Sequence, residues 1–406
     1  MSLPRSPTVA RVVEGQLCTG CGLCASVSGG AIRMVSAEAG YNRPQQDGPI
    51  TPEAETQIAA ACPGAVVADW PQAPGLHPYW GPYQAIFTGA ATDEAVRHHG
   101  SSGGAITALA IHALKTGLVD RVVQIVANPA DPAGNMLACS TDEAQVIAGA
   151  GSRYVSSSPL VEIDRMLADG GSMAFIGKPC DVSAMRRLAQ VDPRVDAHVP
   201  LMLAFFCAGI PSRNAVGRVL KALEVRPEEL ESFRYRGDGW PGKATAVTRD
   251  GRVSRMTYAE SWGGYLSKEV QFRCKICPDA VGGVADLACA DAWYGGESGY
   301  PSFDEMDGRS LIVARTKRGE AFLNTTVADG AIAIEPLDVS EIDLMQPSQA
   351  RRKRLVRGRL AALTATLRPK PVMAGLLVEA ASRRAGAAEQ VKNFLGSVRR
   401  SLSRNR

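Results

Sequence analysis

The sequence predicts an α/β protein (α+β mixed), and three observations carry that reading. A helix-period run, "SSGGAITALAIHALKTG" (101–117), stands between two apolar stretches, "QAIFTGA" (84–90) and "RVVQIVA" (121–127). Strand–helix–strand order of this kind builds a sheet wrapped by helices. The alternation returns further on, where "SMAFIG" (172–177) and "LMLAFF" (201–206) read as buried strands. Each is followed by a helical run, "DVSAMRRLAQ" and then "SRNAVGRVLKALE". Finally, 406 residues with 45% apolar content are enough to bury sizeable cores. Four segments are expected: a cysteine-rich module over 1–78, α/β segments over 79–160 and 161–340, and a basic helical tail over 341–406.

The first segment is rich in glycine and proline and closes on the linker "DWPQAPGLHPYWGPY". In "LCTGCGLCASVSGGAI" (17–32), Cys18, Cys21 and Cys24 stand at C-x2-C-x2-C. A bacterial ferredoxin run would place its next cysteine at position 28, which here is serine. The remote ligand of such modules precedes a proline, and Cys62-Pro63 supplies it. Cys18, Cys21, Cys24 and Cys62 are therefore expected to hold one 4Fe–4S cluster in a small ferredoxin-like module, with Ser28 marking a second site that is lost. Three thiolates two residues apart wrap one face of a cubane, and Gly20 and Gly22 let backbone N–H groups approach its sulfurs. Zinc and a disulfide knot are the competing readings. Zinc sites usually pair their ligands as two separate clips, which this run does not do.

No apolar run has the length of a membrane span, and the longest, "HVPLMLAFFCAGI", contains a proline. The start lacks the basic-then-apolar layout of a secretory signal, so the ten cysteines are expected in a reducing cytoplasm. The net charge of +4 conceals an asymmetry. From Arg351 onward fifteen Lys/Arg face two Glu, leaving the first 350 residues at about −9. Nucleic acid is a poor explanation, because no binding motif accompanies the tail and its aromatic content is one Phe. "RRKRLVRGRLAALTATLRPK" and "VKNFLGSVRRSLSRNR" read as helices packed on the body through Leu and Val. Docking on an anionic membrane surface or a partner is the alternative.

Four more cysteines lie in "FIGKPCDV" (Cys180), "AFFCAGIPS" (Cys207) and "FRCKICPD" (Cys274, Cys277). Cys180 and Cys207 follow predicted strands, where sites in open sheets gather. Spacing alone leaves zinc, a second cluster and plain core cysteine open. Cys139 and Cys289 have no partner in any pattern and are expected in the core.

With "SSGGAITALAIHAL", "GSRYVSSSPL", "GKPCDVSAMRRL", "FFCAGIPS" and "CKICPDAVGGVADLACADAW" in this order, the chain resembles the coenzyme F420 hydrogenase/dehydrogenase beta-subunit family of iron–sulfur flavoproteins. The likeness runs from the cysteine motif to about residue 335. It implies FAD, one N-terminal 4Fe–4S cluster and, in some members, a second on the positions of Cys180, Cys207, Cys274 and Cys277. Many members read "GTPC" where this chain has "GKPC". Lys178 thus puts a cation near the implied cofactor, either favouring a reduced anionic flavin or meeting a phosphate, unless it is a solvated loop lysine.

Ser101, Ser102, Gly103 and Gly104 precede an apolar helix, and such a helix start is either an ordinary cap or an anion site. The resemblance favours the anion site, since FAD brings a pyrophosphate. Arg153, Ser156 and Ser157 are further candidate contacts. Of His98 and His99, one is expected to position the loop, while Asp286, Asp291 and Trp293 fit the family's ending or simply finish a strand.

The resulting expectation is an iron–sulfur flavoprotein oxidoreductase. It would pass electrons between a ferredoxin-like one-electron donor and a two-electron acceptor, with a small-molecule substrate at the flavin. No catalytic side chain is identified. Two other readings remain: an electron-transfer subunit working between deazaflavin coenzyme F420 and a partner enzyme, and an accessory protein of polysaccharide biosynthesis.

Overall fold

The computed structural model describes residues 5–296 and 300–402. The first four residues and the last four of the basic tail lie outside them. The Met173–Gly177 and Leu201–Phe205 strands are apolar along their length, as strands covered on both faces must be. With Leu287–Asp291 and Arg121–Asn128 they form the parallel centre of an eight-stranded sheet. Antiparallel strands complete each side. Ser310–Ala314, Ala85–Ala91 and Ile332–Pro336 extend it beyond Leu287–Asp291, and Asp131–Ser140 pairs with Arg121–Asn128.

Period-two alternation sorts the central side chains into two cores. Met173, Phe175, Met202 and Ala204 join one, and Ala174, Ile176, Leu201 and Leu203 join the other. The Pro179–Leu188 helix covers the first face through Val182, Met185 and Leu188. Ala105–Lys115 and Lys317–Ala328 cover the second through Leu109 and Leu323. Truncating a residue such as Leu203 to alanine costs about 2–5 kcal/mol in a core of this kind, so the sheet is a rigid base for what stands at its edge.

Two departures from the sequence reading concern the body. Asp131–Ser140 forms a strand although its "DPAGN" start disfavours one, because pairing along Arg121–Asn128 supplies its hydrogen bonds. Between 230 and 257 the alternation gives way to a three-stranded antiparallel sheet, Leu230–Arg234, Lys243–Thr248 and Val253–Thr257, with its own core around Phe233 and Tyr235. The eight-stranded sheet itself draws strands from both sides of residue 160.

At the N-terminus, an Ile32–Ser36/Asn42–Gln46 hairpin is flanked by the Pro7–Glu14, Leu23–Ser26 and Pro52–Ala61 helices. The tail folds as the Pro347–Arg354, Val356–Ala365, Val378–Ser382 and Ala387–Leu402 helices. It packs back on the molecule, with Leu363 beside Leu17, Cys18 and Ile276. Val391, Leu395 and Leu402 on its last helix remain exposed. Among the described residues no helix is long and apolar enough to cross a membrane.

Candidate functional site

Cys18, Cys21, Cys24 and Cys62 line one small apolar cavity with Val9, Val12 and Ile58. Cys62 caps the Pro52–Ala61 helix, which brings it back to the C-x2-C-x2-C turn. Gly22 caps the Leu23–Ser26 helix at φ +88, and a Cβ there would meet the Val161 backbone, so only glycine fits between module and body. The Gly20 N–H points at Cys18 Sγ, 3.4 Å away. Burial, with Cys18 beside it, pushes the Cys62 thiol up to about 11, against the pull of the Gly64 and Ala65 N–H groups and of Arg273. Burial and Cys62 push Cys21 higher still. Ser28 is buried; its hydroxyl donates to Ala25 O (2.9 Å) and accepts from the Ile32 N–H (3.0 Å), closing the turn.

The second set is also gathered. Cys180 lies in the first turn of the helix after Met173–Gly177, and Cys207 lies just beyond Leu201–Phe205. The loop carrying Cys274 and Cys277 is stitched to the Cys207 loop by Cys207 N–H to Ala280 O (2.8 Å) and Gln271 N–H to Ile210 O (3.1 Å). Burial, with Cys274 beside it, pushes Cys207 up to about 12, and Cys180 is raised by burial with Cys207 and Cys274 among its neighbours. Two buried side chains join this set to the first. The Gln271 amide donates to Thr19 O (3.3 Å) and Cys274 Sγ (3.5 Å), and Arg273 Nη2 donates to Pro63 O (3.0 Å). Among the described residues, no group of three or more His, Cys, Asp or Glu is placed to hold a single metal ion.

At the carboxyl ends of the parallel strands lies a cavity of about 300 Å³. The Ala105–Lys115 helix starts at its wall, with Gly104 as a cap that offers no side chain, so the N–H groups of the first turn and the helix dipole face the space. Ser101, Ser102 and Gly104 line it. Both hydroxyls have protein partners: Ser102 Oγ donates to Arg309 O (3.0 Å), and Ser101 Oγ accepts from the Ser152 N–H. Gly103 instead backs onto the sheet, its N–H on Ser310 Oγ (2.9 Å). Arg153 lines the cavity but spends Nε on Asn135 Oδ1 (2.5 Å) and Nη2 on the Pro132 and Gly134 carbonyls. Ser156 lies between module and body, accepting the Asn42 N–H (3.0 Å), while Ser157 is in the cavity wall.

Lys178 is not a solvated loop lysine. It is buried in the cavity wall, with Nζ 2.7 Å from Asp181 Oδ2 and 3.3 Å from Ser157 Oγ. Burial opposes its charge, and the Asp181 carboxylate more than offsets this, holding the ammonium above its ordinary range. The remaining wall repeats this pairing of a buried cation with a carboxylate. Arg236 is buried against the rings of Tyr258 and Trp293 and holds Asp291 through two hydrogen bonds of 2.8 and 2.7 Å. Asp286 only ties strands and helices together through Arg186, Arg318 and the Met202 N–H. His99 positions the loop before the helix by pairing with Asp238 (2.8 Å). Cys289 is buried and lines the cavity, whereas Cys139 is exposed on the edge strand rather than in the core.

Residues 86–163 match the family model described as coenzyme F420 hydrogenase/dehydrogenase beta subunit N-term, and residues 170–340 match that of its C terminus. The chain belongs to this family. It is 25% identical over 294 residues to the coenzyme F420 hydrogenase subunit beta of Methanothermobacter thermautotrophicus, spanning 70% of this chain and 95% of that relative. Over 222 residues it is 26% identical to the chloroplastic 7-hydroxymethyl chlorophyll a reductase of Oryza sativa subsp. japonica, spanning 54% and 45% of the two chains. A chain from the F420-reducing NiFe hydrogenase complex of Methanosarcina barkeri shares the fold, with TM-score 0.56, 20% identity, and 73% of this chain and 98% of that one covered.

Both ends of this family member lie outside the matched residues, and each reaches the shared body. The N-terminal end carries Cys18, Cys21, Cys24 and Cys62. The tail, seen in the sequence only as basic helices, places cations on the second cysteine set. Arg352 donates to Cys207 O (3.0 Å) and to Ala208 O, Lys353 to Pro278 O and Leu376 O (2.6 Å), and Arg359 to Lys275 O. Gln346 and Gln349, at the start of the same tail, line the cavity. Sequence reasoning also missed Arg236, Gln271, Arg273 and Asp181. Only Asp181 carried a local signal, as the acidic residue three positions into the helix that Lys178 caps.

Proposed function

We propose that the protein is an iron–sulfur flavoprotein oxidoreductase that passes electrons between a ferredoxin-like one-electron donor and a two-electron acceptor. The observation that carries this reading is one juxtaposition: a cavity faced by a bare helix N-terminus, with two four-cysteine sets joined to each other beside it. We assign FAD to the cavity, where a helix start would meet its pyrophosphate, and 4Fe–4S clusters to the cysteine sets. The first set gives each sulfur a neighbouring cysteine and nearby backbone N–H groups, as cluster sulfurs require.

FAD, when bound, exchanges electrons singly or in pairs, and cubane clusters pass them one at a time. The chain's own residues prepare the site. The first-turn N–H groups of Ala105–Lys115 would hold a pyrophosphate, and Ile106 and Ile176 would give a ring an apolar wall. Lys178, kept charged by Asp181, would offer the cofactor a hydrogen-bond donor from the cavity wall, its charge balanced by the paired carboxylate. Gln271 and Arg273 hold the two cysteine loops in fixed register. The acceptor is a small molecule or a deazaflavin.

A second reading, an electron-transfer subunit serving a partner enzyme, is favoured by the names of the relatives, several of which are hydrogenase or formate dehydrogenase beta subunits. The exposed apolar residues of the last helix offer such a partner, or a membrane surface, a place to dock. Anaerobic purification with iron, sulfide and flavin counted per chain tests both readings. About eight irons and one FAD support the full relay, and about four irons with FAD favour the subunit reading. Absence of flavin overturns both.

A further inference from the structure

The last helix, Ala387–Leu402, carries an apolar stripe that faces solvent. Val391, Leu395 and Leu402 are 57, 58 and 70% exposed, and their spacing of four and seven residues puts them on one face. Lys392 and Arg399 adjoin the stripe along one side and are exposed as well. Both glutamates of the tail are committed, Glu389 to Arg351 and Arg354 and Glu379 to Arg357. The helix has no other acid, so its outer face is apolar and cationic. Its placement matters as much as its composition. It packs on Val356–Ala365, where a Cβ on Gly358 would come within 2.9 Å of the Gln390 side-chain oxygen. Arg359 of that helix donates to Lys275 O, between Cys274 and Cys277, and to Asn393 Oδ1 (3.4 Å) on the last helix. One guanidinium therefore spans from the second cysteine loop to the last helix. Leu363, four residues on, packs with Cys18 of the first set. Val356–Ala365 thus touches both cysteine sets and the last helix.

We propose that the outer face of the last helix is where a small, acidic one-electron carrier protein docks and hands over its electron. This rests on the ferredoxin-like donor of the reading above, and gives that donor a surface. Two features select the occupant. Packed helices lie about 8–10 Å apart, so a carrier on this face stands one helix layer from the cysteine sets. A lipid surface gains nothing from that placement. Three exposed apolar side chains with a cationic rim also suit a transient redox encounter, below about 1,200 Å², rather than a permanent subunit interface of about 2,000 Å² or more. Opposite charge speeds the encounter, and a small contact lets the spent carrier leave. In the step itself one electron leaves the reduced centre of the carrier and one oxidised centre of this chain takes it up. No bond forms or breaks. The whole face lies beyond the matched family models, which end at 340.

The test uses the full chain, purified anaerobically, with an acidic bacterial ferredoxin as the probe. Affinity is read by calorimetry with both proteins oxidised, and electron transfer by stopped-flow absorbance with the ferredoxin reduced. Lys392→Glu/Arg399→Glu is expected to weaken binding and slow reduction by about 10-fold or more in low salt. The gap should close towards about 1 M salt, where charges are screened within about 3 Å. Leu395→Gln should weaken binding by about 10-fold through lost apolar burial. Dithionite, which needs no docking, should reduce each variant at the wild-type rate, and this controls for folding. Unchanged affinity and rate in the double variant overturn the proposal. So does a wild type that dithionite reduces but ferredoxin neither binds nor reduces. Co-sedimentation with phosphatidylglycerol vesicles that the double variant loses, with ferredoxin kinetics unchanged, overturns it as well and gives the face to a membrane. If dithionite reduces nothing in wild type, the oxidoreductase reading itself fails and takes the docking proposal with it.

Discussion

Cys18, Cys21, Cys24 and Cys62 are gathered by one turn and one returning helix, and every residue lining their cavity falls between 9 and 62. Cys180, Cys207, Cys274 and Cys277 come from two strand ends and a distant loop, held in place by arginines and a lysine of the tail. The first set depends on backbone conformation, and the second on side chains that arrive from elsewhere. Local sets of the first kind survive changes in the surrounding body, whereas distributed sets fail when any of several remote contacts is lost.

The sharpest way to break the comparison is to remove one ligand from each set. Cys62→Ser is expected to abolish about four irons per chain while leaving the second set's share, and Cys274→Ser the reverse, as read by iron and sulfide assay. Equal loss from both sets in either variant would show that they form as one unit. Next in size is the buried pair between the sets and the cavity. Asp181→Asn strands the Lys178 ammonium without its partner and is expected to cost about 3–5 kcal/mol in urea unfolding. A cost under about 1 kcal/mol would mean that water reaches Lys178.

Smaller still is the tail clamp. Lys353→Met frees the Pro278 and Leu376 carbonyls in a buried setting, and about 1–3 kcal/mol of stability is expected to go with them. Iron bound by the second set should fall in that variant while iron in the first does not. The smallest effect is one of pH. Burial, with Arg234 beside it, holds the His99 imidazole below its usual range, against the pull of Asp238. The unfolded chain therefore binds the extra proton first. The stability that neutral His99 contributes is complete above about pH 6.5 and is lost as pH falls through the folded-state value. Urea midpoints followed downward from pH 7 should decline less in His99→Gln than in wild type.

The same contrast governs what the sequence made legible. Strands buried on both faces, such as Met173–Gly177, announce themselves by unbroken apolar composition, and Cys18, Cys21 and Cys24 by spacing within one turn. Asp131–Ser140 has no such pattern, because its strand character comes from its neighbour. Lys178 could be singled out but not placed, since the partner that keeps it charged acts only after burial. Arg236, Gln271 and Arg273 are ordinary polar residues in the sequence, and their roles arise from contacts across 55 to 252 positions of chain. The tail's positive charge was visible, but not that its cations point inward at carbonyl oxygens.

The clamp formed by Arg352, Lys353 and Arg359 also fixes an order of events during synthesis. The first set can close once residue 62 has left the ribosome, but the second lacks its fastening until residue 359 has followed. At about 5–20 residues per second, that interval is on the order of 15 to 60 s. Within it Cys180 and Cys207, and later Cys274 and Cys277, enter a nascent chain that is not yet locked, and the complete set stands open for the last 82 residues, about 4 to 16 s. That is the window in which the second set is open to whatever delivers iron and sulfide.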